Sequence, residues 1–168
     1  GIRPEVRRSD ELTGRPVVRV GLAAGPLPGE AEVGHDGYAI DVGAAVADLA
    51  GPGPPGTANA IYDFLETAVG ARCLGPGPAG SWVPRRAEIL VPAGERRERP
   101  AFTLRQAWYN NLVLARATPA ERAALELFSR RNRAGGVRAV IRHYFADLVP
   151  PGVYFSEHPE YFADLPKL

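Results

Sequence analysis

Alternating apolar and polar positions predict strands in the first half of the chain. Residues 16–23 and 38–42 each place their apolar side chains on one face, as a half-buried strand does. Gly43 turns the chain into a third apolar segment, 45–50, so 38–50 is predicted to form a β-hairpin. Shorter apolar runs predict two more strands, at 71–74 and 87–91.

One amphipathic helix is predicted between these strands. The glycine- and proline-rich run 51–56 is expected to be neither helix nor strand, and Thr57 is a suitable N-cap for a helix over 58–69. The helix should end at Gly70 and bury a stripe with helical spacing, namely Ile61, Phe64, Leu65 and Ala68. The element order predicts an α+β domain, a mixed sheet with a helix on one face. The charge run 95–99 (ERRER) is interpreted as a solvated linker.

The second half opens with a predicted strand over 102–108. Thr118 and Glu121 form a capping box with Pro119 at the first helical position, which predicts a helix to about Arg133 that buries Leu125 and Phe128 and ends at Gly135–Gly136. Residues 137–148 fit either a helix or a buried strand. Residues 148–165 combine aromatic residues with prolines, so an aromatic-rich loop with short helical turns is expected.

Composition narrows the functional classes. A net charge of +1 argues against a nucleic-acid-binding surface, and no apolar run approaches the roughly 20 residues that a membrane span needs. The single cysteine, Cys73, forms no intrachain disulfide and suits a small buried side chain. His35, His143 and His158 are too scattered for a metal site, and no motif indicates a cofactor.

Several motifs together resemble a known family. They are GYAIDV, AIYDFLETAVGARCLGPG, VPRR, RRERPAF, RNRAGG and LVPPGVYFSEHPEYFADL, spread over residues 36–165. This pattern resembles the N-terminal region of α-glucuronidase-like glycoside hydrolases and of related bacterial proteins that carry a domain of unknown function. The resemblance implies an accessory α+β domain of the hexosaminidase/α-glucuronidase N-terminal type over 1–98. It implies that 99–168 begins a (β/α)₈ barrel that the chain does not complete.

The same resemblance places the catalytic carboxylates outside this chain. A complete barrel needs about 250 residues, and the acid and base of such enzymes lie on later strands. The carboxylates of this chain include Glu66, Asp147, Glu157 and Glu160, and nothing in the sequence singles out a pair. We therefore expect this chain to be a truncated, inactive piece, with no catalytic residues, whose partner is the rest of the barrel in cis.

Three residues are predicted to contact a carbohydrate. The resemblance places His143 near the end of the second barrel strand, where it would hydrogen-bond a sugar hydroxyl or carboxylate. Both Trp108 and Arg105 would lie at the end of the first barrel strand. Trp108 would pack on the apolar face of a sugar, and Arg105 would bind a carboxylate through two hydrogen bonds. The alternative for His143 and Trp108 is a structural role, His143 on an apolar face and Trp108 in the core.

The sequence is compatible with two functions, one enzymatic and one of binding alone. The resemblance implies that the parent protein is a glycoside hydrolase acting on uronic-acid-bearing polysaccharide. The alternative is a stand-alone, non-catalytic module that binds a carbohydrate or a protein, in which residues from Phe102 onward pack on the first domain. The compartment, secreted or cytoplasmic, stays open.

Overall fold

The computed structural model describes residues 16–107, 116–137 and 144–162. The chain divides into two units, residues 1–138 and 139–168. The elements of the first unit are, in chain order, β1 (Val17–Val20), α1 (Glu30–Val33), β2 (Tyr38–Val42), β3 (Val46–Ala50), α2 (Pro54–Phe64), β4 (Arg72–Cys73), β5 (Ser81–Trp82), β6 (Gly94–Glu98), β7 (Leu104–Arg105), α3 (Pro119–Arg131) and β8 (Gly135–Gly136).

A four-stranded mixed sheet organises this unit. Its strand order is β1-β3-β2-β6, with β1 parallel to β3 and the other pairs antiparallel. The predicted hairpin is confirmed, because Ile40 pairs with Leu49 and Val42 with Ala47. The core lies between β2, β3 and α2 and is formed by Tyr38, Ile40, Leu49 and Ala60, with Val42, Ile61 and Phe64 packed against it. The coarse prediction of an α+β fold, a mixed sheet with helices, is thus confirmed.

The start of α2 differs from the prediction. The helix begins at Pro54, inside the run that was expected to be irregular, because prolines are tolerated in the first helical turn. Gly53 is the N-cap, and Thr57 lies within the helix, where its hydroxyl accepts a hydrogen bond from the amide of Gly51 at 3.1 Å. The helix continues as a π-helical segment, Leu65–Val69, and stops at Gly70 (φ 82°) as predicted.

The face that α2 buries was also predicted only in part. Its buried residues include the polar Asn59 and Asp63 beside Ala60, whereas Leu65 is 40% exposed. Ala68 is buried, and Ile61 and Phe64 are half-buried. The apolar spacing therefore predicted only part of the buried face. The buried polar residues Asn59 and Asp63 are stabilised by a hydrogen bond and by ion pairs.

Three glycines let the start of α2 approach the sheet. A Cβ on Gly37 would lie 1.8 Å from the carbonyl oxygen of Val33, and one on Gly56 would lie 2.2 Å from the carbonyl oxygen of Gly37. A Cβ on Gly51 would lie 2.4 Å from the carbonyl carbon of Gly56. Real Cβ contacts are never so short, so this packing requires glycine at all three positions.

The charge run ERRER is a strand and not a linker. Residues 94–98 form β6, the edge strand that pairs with β2 along its whole length, with Ile40 opposite Arg96. Charged side chains on an edge strand protect it from pairing with other chains, which explains why a strand here carries no apolar pattern. The strand predicted at 87–91 is wrong, because those residues are irregular.

The rest of the first unit consists of two small antiparallel ladders, β4–β5 and β7–β8, and helix α3. The α3 start is confirmed in detail. Thr118 and Glu121 form a reciprocal capping box, with Pro119 in the first turn. Leu125 and Phe128 are half-buried, and the two glycines predicted as its stop form β8.

The described part of the second unit contains α4 (Phe145–Leu148), α5 (Pro151–Tyr154) and a 3₁₀ turn at Pro159–Tyr161. The short turns expected in this segment are confirmed. Its rings contact one another: Phe162 meets Phe145 and Phe155 edge to face, and His158 stacks on Tyr161 with 4.7 Å between ring centroids. His158 also lies 2.9 Å from a carboxylate oxygen of Glu160. The predicted division at 98/99 and the barrel elements stay predictions.

Candidate functional site

A cleft of about 950 Å³ opens between α2, α3 and the β7–β8 ladder. One wall is the first two turns of α2, where Pro54, Pro55, Ala58 and Tyr62 share a face. Because proline has no amide hydrogen, this helix start offers few donors to an anion. The wall is therefore a largely apolar surface with one phenol ring.

The floor of the cleft contains Asp36 and Arg105. Both side chains are mostly buried, with exposed fractions of 10% and 19%, and they form an ion pair. The Arg105 Nε donates to the carbonyl of Arg133 at 3.1 Å, and its Nη1 donates to the carbonyl of Phe102 at 2.6 Å. The Asn59 amide donates to the Asp36 carbonyl at 2.8 Å. All three nitrogens of the guanidinium are thus engaged by the protein.

Strand β8 forms the floor beside this pair, and it has no side chains. A Cβ on Gly135 would lie 2.8 Å from a carboxylate oxygen of Asp36, and one on Gly136 would lie 2.0 Å from the carbonyl of Thr103. Gly136 also has a φ of 81°, a region that favours glycine. The two glycines therefore allow the ladder to approach the Asp36–Arg105 pair.

Helix α3 supplies the opposite, charged wall. Its cleft-facing residues are Arg122, Leu125, Glu126, Ser129 and Arg130, which recur at helical spacing. Arg130 and Glu126 form an ion pair one turn apart. The Nε of Arg122 donates to the carbonyl of Ala117 at 3.1 Å.

A second ion-pair network lies behind the cleft. Asp63 on α2 pairs with Arg96 on β6 and lies 3.8 Å from Arg133, which also binds Glu66 at 2.9 Å. Arg133 has a φ of 58°, so these carboxylates hold a strained turn between α3 and β8. Tyr38 lies in the field of this network, and its burial is the main reason that its pKa is raised above the ordinary value.

The structure locates one of the three residues predicted to contact a carbohydrate. Arg105 lies in the cleft, where the protein itself occupies its guanidinium. Trp108 and His143 lie outside the described residues, so all three assignments stay predictions. Glu66, one of the carboxylates that the sequence did not single out, is half-buried and paired with Arg133. In the described part of the chain, no group of three His, Cys, Asp or Glu side chains could hold a metal ion.

Sequence reasoning missed most of the cleft. Asn59, which lines the cleft, and Asp63, which belongs to the second ion-pair network, are polar residues four positions apart on one face of α2, and this polar stripe is the signal that was available. The stripe on α3 was available in the same way. No sequence pattern indicated that Asp36 belongs to the cleft, because it meets Arg105 only in the folded structure.

Comparisons with known proteins give no family assignment: no family model, no curated protein and no solved structure matches the chain. Among the described residues, none of the helices is both long enough and apolar enough to span a membrane.

Proposed function

We propose that the described part of the chain is a non-catalytic domain that binds a carbohydrate in the cleft. The observation that supports this proposal is that the cleft has two unlike walls. The α2 wall is apolar and includes the ring of Tyr62, and the α3 wall is charged. Sugars present apolar C–H faces, which pack on aromatic rings, and a rim of hydroxyls, which hydrogen-bond to charged and amide groups. Tyr62 on α2 and the polar residues of α3 supply these two kinds of contact.

The engagement of the carboxylates supports a non-catalytic role. Hydrolysis of a glycosidic bond uses two carboxyl groups about 5–10 Å apart that face each other across the bond. The described carboxylates that line the cleft are Asp36 and Glu126, and each forms an ion pair with an arginine. Asp36 is mostly buried in its pair, so the described cleft lining offers Glu126 alone as an exposed carboxylate and not two that face each other.

The contacts of residues after Phe102 support a module in which these residues pack on the preceding ones and do not begin a barrel. Arg105 on β7 binds Asp36, and Arg133 after α3 binds Glu66 and approaches Asp63. These contacts tie the segments of β7 and of the turn after α3 to Asp36 and to the α2 helix, which supports the stand-alone alternative.

The parent glycoside hydrolase is a second candidate. The resemblance described above supports it, together with a hexosaminidase/α-glucuronidase-type first domain and the start of a barrel over 99–168. The gene sequence beyond the Leu168 codon tests it. An open frame of several hundred residues with paired Asp and Glu after later strands supports the hydrolase, and a stop codon at that point contradicts it.

Calorimetric titration of the whole chain tests the binding proposal. The probes are tri-galacturonate and its neutral methyl ester. Tyr62→Ala should weaken both about tenfold, because a ring packed on a ligand contributes about 1–1.5 kcal/mol. Tyr154→Ala, an exposed tyrosine of the second unit, is the matched control and should bind as the unmodified chain does. Absence of binding by the unmodified chain would reject the proposal, as would release of reducing sugar during the titration.

A further inference from the structure

Three arginines line the cleft, and two of them form ion pairs with carboxylates that also line it. Arg105 is held by Asp36 and two carbonyls, and Arg130 is paired with Glu126. Arg122 hydrogen-bonds only a backbone carbonyl, through its Nε, and no carboxylate among the described residues pairs with it. Counted over the described residues, the α3 wall of the cleft thus carries one positive charge without a carboxylate partner.

The position of that charge suits a ligand with an apolar face and an anionic group. Arg122 and Leu125 lie on one wall, and Tyr62 and the two prolines of α2 lie on the other. A ring seated between the walls would contact Tyr62 with one face and direct a substituent toward Arg122. Arg122 is exposed, and its two terminal nitrogens bind no other group in the part of the chain that the structure describes. Two such nitrogens match the two oxygens of a carboxylate.

We propose that Arg122, and not Arg105, binds the carboxylate of a uronic acid held in the cleft. This inference rests on the proposed function, because it assigns the group that gives the carbohydrate site its preference for an acidic sugar. Arg105 does not serve this purpose, because binding a ligand would require it to release Asp36. That release would leave a mostly buried carboxylate without its partner.

The test compares tri-galacturonate with its methyl ester, which has the same rings and no charge. Arg122→Gln should weaken binding of the acid about fivefold, as expected for a partly exposed ion pair, and change binding of the ester less than about twofold. Arg131→Gln removes a neighbouring charge that does not line the cleft and should change neither. Arg122→Lys should bind the acid with intermediate affinity, because it keeps the charge and loses the planar fork.

Salt provides a second readout. The preference for the acid over the ester should shrink between 50 mM and 500 mM NaCl in the unmodified chain, and should be small at both concentrations in Arg122→Gln. Acid binding that Arg122→Gln leaves unchanged would overturn the inference and leave carbohydrate binding intact. Binding of neither saccharide by the unmodified chain would overturn the proposed function and this assignment with it.

Discussion

At the scale of single residues, the glycines between β2 and α2 set the strictest requirements. Gly37, Gly51 and Gly56 lie where two backbones touch, so the space for a side chain is already occupied by main-chain atoms. Main-chain atoms within a sheet and a helix cannot rotate away as a side chain can. A methyl group on Gly51 or Gly56 must therefore separate the start of α2 from the segments next to β3 and β2 and open the core around Leu49 and Ala60. A methyl group on Gly37 must displace the carbonyls of Val33 and Glu98.

Gly37→Ala should lower the free energy of unfolding by at least about 2 kcal/mol, because it overpacks a site bounded by backbone. Gly29→Ala is the control. Gly29 has open space around its Cβ position and an ordinary φ of −70°, so this change should cost less than about 1 kcal/mol, the difference between glycine and alanine at the N-cap of α1. Urea unfolding monitored by circular dichroism measures both. Equal stability of the two variants would show that Gly37 does not approach the carbonyls of Val33 and Glu98 as closely as described.

Tyr38 makes the stability depend on pH at alkaline values. Its folded pKa is raised above the ordinary value near 10, mainly by burial, so the folded state keeps the proton over a range where the unfolded state has lost it. The contribution of the neutral phenol is therefore fully present below about pH 9 and is lost as pH rises past 10.

Tyr38→Phe should consequently unfold like the unmodified chain at pH 7, within about 1 kcal/mol, and lose less stability between pH 9 and pH 11. Denaturant titrations at pH 7, 9, 10 and 11 give the two curves. Parallel curves across this range would mean that Tyr38 titrates alike in the folded and unfolded states.

At the scale of elements, sequence patterns predicted those that depend on local chemistry. The capping box of α3, the stop at Gly70 and the β2–β3 hairpin all follow from neighbouring residues. The elements that were missed depend on distant partners. Strand β6 has no alternation of its own and forms because β2 presents an edge, and the polar face of α2 is buried because Arg96 and Asp36 meet it.

The Asp36–Arg105 pair joins two segments that lie 69 residues apart, so it should be strongly coupled. Arg105→Met alone should cost about 2–3 kcal/mol, because it leaves a mostly buried carboxylate unpaired. Adding Asp36→Leu should recover part of that loss. The coupling free energy from the four-protein cycle should exceed about 1 kcal/mol.

The same cycle on Arg97 and Glu32 is the control. These side chains are 45% and 49% exposed, and exposed pairs couple by less than about 1 kcal/mol. If both cycles give the same small value, then the ladder of β7 and β8 is not attached to the first domain through Asp36.

At the scale of the whole molecule, the described core is confined to a short part of the chain. All eight of its buried apolar residues lie between Val33 and Ala68, and the described residues of the second unit include none that is buried. Protection of amides from exchange follows burial and backbone pairing. The two units should therefore differ widely in exchange rate.

Hydrogen exchange followed by mass spectrometry should find the slowest amides in β2, β3 and α2. Peptides from 144–162 should exchange at least about a hundredfold faster, since their helices are single turns with exposed side chains. The peptide covering Gly94–Glu98 should be protected on alternate amides only, as an edge strand is. Uniformly slow exchange in 144–162 would show that burial in the described residues does not determine local stability.

The two edges of the main sheet differ in chemistry, and this limits how the chain can self-associate. Among the described residues, β1 pairs on one side only and presents the sequence VVRV, whereas the opposite edge, β6, presents GERRE. The charges on β6 oppose pairing with another copy, so pairing through the edges of the main sheet is favoured at β1. Two copies joined at β1 would leave a charged β6 at each end of the common sheet. Such a sheet would resist further growth at both ends, which favours a pair over a fibre.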